Sequence, residues 1–230
     1  MRTIFIGDTH GCAAELQDLL TAVAYDGDRL LLAGDAFARG PDPLGVWRLI
    51  EETGAEMVLG NHDARLLEQL EDWAAGREPT LQKPDQRYTF AQLDPVLADM
   101  LAWLRRVPLY IEDSRFLLVH AGINPEKRLA GTSRDEFVSI RTWPPTKSQA
   151  DLRWHDYYEP AHPLLVFGHD APGQLVVKRR DGRPYLLGLD TGCVYGELFG
   201  NQLTAYILEE DRLVHVPSRQ HKDQWLTRDA

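Results

Sequence analysis

Five short apolar runs punctuate this 230-residue chain: Thr3-Ile4-Phe5-Ile6, Leu30-Leu31-Leu32, Met57-Val58-Leu59, Phe116-Leu117-Leu118-Val119 and Leu164-Leu165-Val166-Phe167. Each is too brief for a helix and has the unbroken hydrophobicity of a strand covered on both faces. Just beyond them stand Asp8 and His10, Asp35, Asn61 and His62, His120, and His169. In layered α/β folds, ligands gather outside the carboxyl ends of the strands, where loops aim side chains inward. All five groups fall at such ends. Gly7, Gly34, Gly60 and Gly168 immediately precede four of them, and a residue without Cβ permits a sharp turn or a close approach. One Gly-Asp or Gly-Asn-His alone could be an ordinary turn. Five in register describe a convergent set of carboxylate, amide and imidazole donors, as a site for two cations needs.

The pattern between the runs sets the architecture. Ala13 to Val23 carries Leu16, Leu19, Leu20 and Val23 at helical spacing; a second helix is expected near Leu44 to Thr53, ended by Gly54, and a third carries Leu66, Leu67 and Leu70. Successive β-α units imply parallel strands and right-handed crossovers, which puts Asp8, Asp35 and Asn61 on one edge of one sheet. The polar stretch from Gly76 to Thr89 reads as a solvated connection or a mobile loop over the cleft, and a helix follows from about Leu93 to Arg106. Further on, Leu109 to Glu112, Phe116 to His120, Leu164 to Phe167, Leu175 to Lys178, Tyr185 to Leu189, Leu203 to Leu208 and Leu213 to Val216 read as strands joined by turns such as Asp181-Gly182 and Glu210-Asp211. They suit a second, largely antiparallel sheet. The expected fold is an α/β four-layer αββα sandwich of two mixed sheets with the site along one rim, in a single domain over residues 1–230. Residues after Pro217, Trp225 included, could dock or fray.

Composition narrows the partners. A formal net charge of −10 argues against a surface that tracks extended nucleic acid. A small anionic substrate stays compatible, because bound cations and a few arginines make a cleft locally positive. No apolar stretch has the length of a membrane span or the form of a signal peptide, so a cytoplasmic location is expected. Cys12 and Cys193 are too few for a disulfide framework and read as buried reduced thiols. His155, His162 and His215 carry no motif and read as surface or packing residues.

The donor set points to chemistry. A carboxylate shared by two cations offsets their repulsion and fixes a separation of about 3.5–4 Å, at which a water held between them loses its proton near neutral pH and attacks phosphorus in line. Mixed oxygen and imidazole donors suit Mn, Fe, Co or Zn, with manganese first, over an all-oxygen Mg or Ca cage. Arg39 offers a planar fork for a substrate phosphate, Arg141 a second phosphate contact, and His62, beside Asn61, a general acid for the departing oxygen. Neither cysteine is needed as a nucleophile.

The segments Gly7-Asp8-Thr9-His10-Gly11, Gly34-Asp35-Ala36-Phe37-Ala38-Arg39-Gly40, Gly60-Asn61-His62-Asp63, His120-Ala121-Gly122 and Gly168-His169 resemble the motifs of calcineurin-like metallophosphoesterases. The resembling branch is shared by protein Ser/Thr phosphatases and bacterial symmetrical diadenosine tetraphosphate hydrolases. The resemblance implies that Asp8, His10 and Asp35 hold one metal ion and Asp35, Asn61, His120 and His169 the other, with Asn61 also close to substrate phosphate. Ala171, where wider relatives have another histidine, fits this branch. Ala38 stands where protein phosphatases carry an aspartate that orients the histidine acid, and Ala38-Arg39-Gly40-Pro41 is similar to the tetraphosphate hydrolases instead. Trp103-Leu104-Arg105-Arg106, His120-Ala121-Gly122-Ile123, Leu189-Asp190-Thr191-Gly192-Cys193 and His221-Lys222-Asp223 are similar to the same group.

The leading expectation is therefore a metal-dependent phosphohydrolase that cleaves a dinucleoside tetraphosphate symmetrically, diadenosine tetraphosphate giving two ADP. Ser/Thr protein phosphatase activity is the alternative, and a catalytically silent binding domain a third. Only 49 positions separate His120 from His169, fewer than those hydrolases usually have, which implies less wall around the cleft and leaves nucleotide-capped RNA in view.

Overall fold

A computed structural model of the chain describes residues 1–146, 152–171 and 174–221. Lys222, Asp223 and Trp225, named above, lie outside them.

Three β-α units open the chain. Strand β1 (Thr3–Ile6) leads to α1 (Ala13–Ala22), β2 (Arg29–Leu32) to α2 (Pro43–Thr53), and β3 (Glu56–Met57) to α3 (Asn61–Ala74). Local chemistry fixes the ends of α2: the Asp42 carboxylate accepts from the Gly45 N–H at 2.7 Å, Pro43 occupies the first turn, and Gly54 takes the left-handed cap at φ 65°. β1 pairs parallel with β2, and β2 with β3.

The segment expected as a polar connection folds differently in its second half. Residues Pro84–Gln92 form α4, entered through a proline in its first turn and a bond from the Lys83 N–H to the Gln86 side chain at 3.1 Å. That is a helix-start signal hidden among polar residues. The helix expected over Leu93 to Arg106 is correspondingly shorter: a 3₁₀ turn at Asp94–Val96 precedes α5 (Leu97–Leu104), because Pro95 lacks the N–H that a continuous helix would need.

The second sheet begins with β4 (Tyr110–Glu112) and β5 (Leu117–Val119). After the short helices α6 (Arg128–Gly131) and α7 (Arg134–Ser139) it continues with β6 (Leu165–Phe167) and the hairpin β7 (Val176–Arg180) and β8 (Arg183–Gly188). Asp181 and Gly182 close that hairpin with φ of 51° and 78°, the left-handed pair that a two-residue turn favours. Strand order is β4-β5-β6-β8-β7, with β6 parallel to both β5 and β8. The sheet is mixed rather than largely antiparallel.

The last two strands depart further from the sequence reading. β9 (Gln202–Ile207) and β10 (Arg212–Pro217) belong to the first sheet, whose order is β10-β9-β1-β2-β3, with β9 antiparallel to β1. Alternating burial tells which face of a strand is apolar but not which open edge it will pair with. β1 has a free edge whose backbone groups need partners, and β9 supplies them.

Side-chain alternation builds the layers. Phe5, Leu31, Phe116, Leu118, Val166, Leu187 and Tyr206 meet between the sheets. Their neighbours Ile4, Ile6, Leu30 and Leu32 face the helices of the first sheet, while Leu117, Val119, Leu165 and Phe167 face the other outer layer. Phe5 and Phe116 touch edge to face with centroids 4.8 Å apart, so truncating Phe116 to Ala costs about 3–5 kcal/mol. The four-layer αββα sandwich is as expected, although the layer outside the second sheet is thin among the described residues, with α-helices of 4 and 6 residues backed by Trp154 and Tyr158.

Candidate metal centre

Asp8, Asp35, Asn61, His120 and His169 each follow the carboxyl end of a strand, and the packing of the two sheets brings them to one rim. Two groups of ligand atoms form, each within 4.8 Å: Asp8, His10 and Asp35, and Asp35, His120 and His169. Asp35 is common to both. Its Oδ2 lies 3.8 Å from His10 Nε2 and 3.5 Å from His120 Nε2. Asn61 Oδ1 lies 3.3 Å from His120 Nε2, which in turn is 3.2 Å from His169 Nδ1.

Backbone strain concentrates here. Asp35, His10, Arg39 and His169 have φ of 50°, 45°, 74° and 69°, a left-handed region unusual for residues with a Cβ. The glycines explain part of how this is tolerated. A Cβ on Gly60 would lie 2.2 Å from Asp35 Oδ1, and one on Gly168 would lie 2.0 Å from Asp8 Oδ1. Their bareness makes room for the carboxylates themselves.

Each donor is aimed by a named partner. Asp63 at the start of α3 accepts from the backbone N–H of Asp35 at 2.6 Å, of Ala36 at 3.1 Å and of Gly60 at 3.2 Å, so it clamps the Asp35 turn to the Asn61 turn. Asp35 Oδ1 accepts from the His62 N–H at 2.8 Å, leaving Oδ2 for the cluster. Two bonds cross between sheets. His120 Nδ1 donates to the Ala33 carbonyl at 2.7 Å, which fixes the tautomer whose Nε2 lone pair faces the cluster, and the His169 N–H donates to both Asp8 oxygens at 3.1 Å.

Arg141 is drawn into the site by His169. Its Nε donates to His169 Nε2 at 2.9 Å and its Nη2 to the His169 carbonyl at 3.0 Å. In that tautomer His169 Nδ1 carries the proton. Offering Nδ1 to a cation requires the proton on Nε2, and the Nε contact of Arg141 is then given up. Arg39 reaches the hydroxyl of Tyr195 and stacks over its ring at 5.4 Å. His62 sits edge to face with His10, centroids 5.2 Å apart, and no protein group among the described residues hydrogen-bonds its ring.

The electrostatics call for positive charge. Burial pushes the Asp8 carboxyl well up, aided by Asp190 and Asp35; burial also raises Asp35 to about 6, and burial with the nearby Asp35 charge raises Asp63 to about 7. Burial and the neighbouring Arg39 hold His10 and His62 well below the usual imidazole value; burial and His120 do the same to His169. Buried carboxylates short of charge compensation, beside neutral imidazoles, match what divalent cations with mixed donors require. The residues present therefore fit a pair of such ions.

Three residues near the site had no role assigned from the sequence. Asp63 was legible as the acidic third residue of a helix start. Asp190 is 4% exposed, raised to about 6 by burial, and ends a sixth apolar run, Leu186-Leu187-Gly188-Leu189, by the same rule as the other five. Tyr195 had no signal, since its approach to Arg39 is purely tertiary. Of the other histidines, His155 is buried against Phe167, His162 pairs with Glu112 at 3.2 Å, and His215 meets the Thr204 hydroxyl at 2.9 Å. Cys12 and Cys193 are both buried thiols.

A two-sheet sandwich with an Asp/His/Asn rim is the framework of a metallophosphoesterase, and the calcineurin-like phosphoesterase family profile matches residues 1–225. The chain belongs to that family. Symmetrical bis(5'-nucleosyl)-tetraphosphatases from Edwardsiella ictaluri and Aeromonas salmonicida are 31% and 32% identical to it, over 95% and 96% of this chain and 97% and 99% of their own lengths. These alignments run over 284 and 286 positions against 230 residues here, so both relatives carry insertions. The crystal structure of a protein provisionally named a diadenosine tetraphosphatase superposes with a TM-score of 0.77 at 29% identity, covering 96% of this chain and 95% of that one. A yeast protein serine/threonine phosphatase, at 15% identity and a TM-score of 0.60, shares the fold.

Proposed function

We propose that residues 1–230 act as one phosphohydrolase unit that cleaves dinucleoside tetraphosphates symmetrically, with Asp8, His10 and Asp35 holding one divalent ion and Asp35, Asn61, His120 and His169 the other. The observation that carries this reading is Asp35 Oδ2, set 3.8 Å from His10 and 3.5 Å from His120 and shared by both donor groups. When bound, such a pair of ions supplies Lewis acidity and an activated water at neutral pH; manganese is the first choice for these donors. Arg39 and Arg141 bind and orient the non-bridging phosphate oxygens with planar forks of donors. The ring of His62, which burial and Arg39 hold well below the usual imidazole value, gains affinity for a proton when an anionic phosphate lies beside it, and it gives that proton to the departing oxygen.

Ala38 supports an anhydride over a phosphoserine. A departing diphosphate is already a good leaving group, since a phosphate ester loses its second proton near pH ~6. A serine alkoxide needs full protonation, for which a carboxylate behind His62 would be useful, and position 38 has none. His62→Asn is thus expected to slow tetraphosphate cleavage by roughly tenfold and an alkyl phosphate ester by about 10²–10⁴-fold. Equal losses on both substrates would remove His62 as the acid.

The deciding experiment offers manganese-loaded protein both diadenosine tetraphosphate and a phosphoserine peptide and separates the products. ADP as the main product is expected. ATP with AMP contradicts the symmetry, and phosphate released mainly from the peptide makes the protein a phosphoprotein phosphatase. No helix among the described residues is long and apolar enough to cross a membrane, and a cytoplasmic nucleotide pool is the proposed source of substrate.

A further inference from the structure

A further group of metal-ligand side chains shares no member with the Asp/His rim, which it adjoins where the Cys12 thiol donates to the His10 carbonyl at 3.7 Å. Cys12 caps the start of α1, Glu15 stands in that helix's first turn, and Cys193 opens the 3₁₀ turn Cys193–Leu198. One ligand atom from each lies within 4.8 Å of the other two. Cys12 and Glu15 are 0% exposed and Cys193 1%. Glu15 Oε1 accepts from the Arg219 N–H at 2.9 Å and the Gln220 amide at 2.8 Å. Its Oε2 is buried with no hydrogen-bond partner among the described residues. A buried carboxylate oxygen left without a donor is costly and asks for an ion or a proton.

We propose that Cys12, Glu15 and Cys193 form a third cation site, distinct from the catalytic pair, that takes a thiophilic divalent ion of the zinc type. Sulfur donors select zinc over manganese or magnesium, so the two clusters take different ions from a mixture. Zinc bonds of about 2.3 Å to sulfur and 2.0–2.2 Å to carboxylate oxygen at tetrahedral angles place the ligand atoms somewhat under 4 Å apart. The ligand atoms, which lie within 4.8 Å of one another, would draw in to that spacing around an ion. Two thiolates and a carboxylate around a 2+ ion leave one net negative charge, which the amino end of α1 stabilises.

The ion would tie together three segments: the β1–α1 loop with His10 two residues before Cys12, the turn carrying Asp190 and Tyr195, and the stretch at Ser218–Gln220. Its role is structural, holding the catalytic loop against the Tyr195 turn.

Cobalt(II) is the probe, because thiolate ligation gives a near-ultraviolet charge-transfer absorption that the sulfur-free catalytic cluster cannot produce. Full-length protein stripped of metal and titrated with cobalt is expected to show that band saturating at one ion per chain, and to keep it in the Asp35→Asn variant. Cys193→Ser should abolish it. Glu15→Gln keeps an acceptor for both hydrogen bonds and should weaken cobalt binding at the band by ~10-fold or more. Wild-type protein that gives no band at saturating cobalt while both thiols react after unfolding overturns the site, and so does loss of those thiols to a disulfide. Both outcomes are independent of which phosphate compound the enzyme cleaves.

Discussion

Asp35 and His120 come within 3.5 Å of each other yet are held by different means. Asp35 belongs to a regular β-α unit: its turn is clamped by three N–H bonds to Asp63 and backed by helices of 10, 11 and 14 residues. His120 and His169 end strands of three residues whose outer cover is two short helices and a patch of aromatics. Their aim depends on reaching across, His120 to the Ala33 carbonyl and the His169 N–H to Asp8. The Asp35 turn is organised by bonds within its own sheet, and the histidines of the second sheet by bonds that reach across to the first. A site divided this way also acts as a brace between the sheets.

Asp35 is common to both donor groups, and its loss has the largest effect. Asp35→Asn is expected to release both cations and lower kcat/KM for the tetraphosphate by about 10³-fold or more, whereas His120→Ala releases one ion; metal analysis of the purified variants beside kinetics distinguishes them. Equal, full retention of metal in both would end the ligand assignment.

Arg141 probes the second half. Arg141→Ala should cost about 10²-fold in kcat/KM, and Arg141→Lys should restore little, because an ammonium cannot reproduce the guanidinium's fork. If lysine restores full activity, Arg141 contributes only charge.

pH separates carboxylates from imidazoles. Burial raises Asp35, proposed to be shared by both ions, to about 6, and its neighbours Asp190 and Asp63 to about 6 and 7, so below those values the metal-free cluster holds protons that compete with a cation. The histidines, held low, are already neutral and compete little. Manganese affinity should therefore climb from pH 5 to about 7 and flatten above it, read by calorimetry in buffers of different ionisation enthalpy. A carboxyl raised in the folded state contributes stability below its unfolded value of about 4 and loses it as pH rises through 6–7, so manganese should raise the Tm more at pH 8 than at pH 5.5. The same Tm gain at both values would mean that these carboxyls do not face the ions.

The smallest effect expected is at Tyr195. Tyr195→Phe removes the hydroxyl that meets Arg39 but keeps the ring beneath it, and a rise in KM of a few fold with kcat little changed is expected from steady-state kinetics.

Asp8, His10, Asp35, Asn61, His62, His120 and His169 were legible because each follows an apolar run, and a buried strand end is a local pattern. Asp190 obeys the same rule, ending the strand expected over Tyr185 to Leu189, yet its place beside Asp8 is set by the packing of the two sheets. Helix α4 was obscured because a partly exposed helix of nine mostly polar residues lacks an apolar stripe, leaving only its proline start as a sign.

Sequence alone determined the β-α rhythm, the alternation that splits the residues among three apolar layers, and the placing of Asp, Asn and His side chains at strand ends, since all of these are set by neighbours along the chain. Tertiary structure alone decided that β9 and β10 join the first sheet, that Arg141 turns onto His169, that Tyr195 meets Arg39, and that Cys12 and Cys193 converge on Glu15. The physical reason is common to these cases. Hydrophobic periodicity carries information over a few residues, whereas the partner of an open strand edge or a buried polar atom is chosen by whatever the completed packing brings within hydrogen-bond reach.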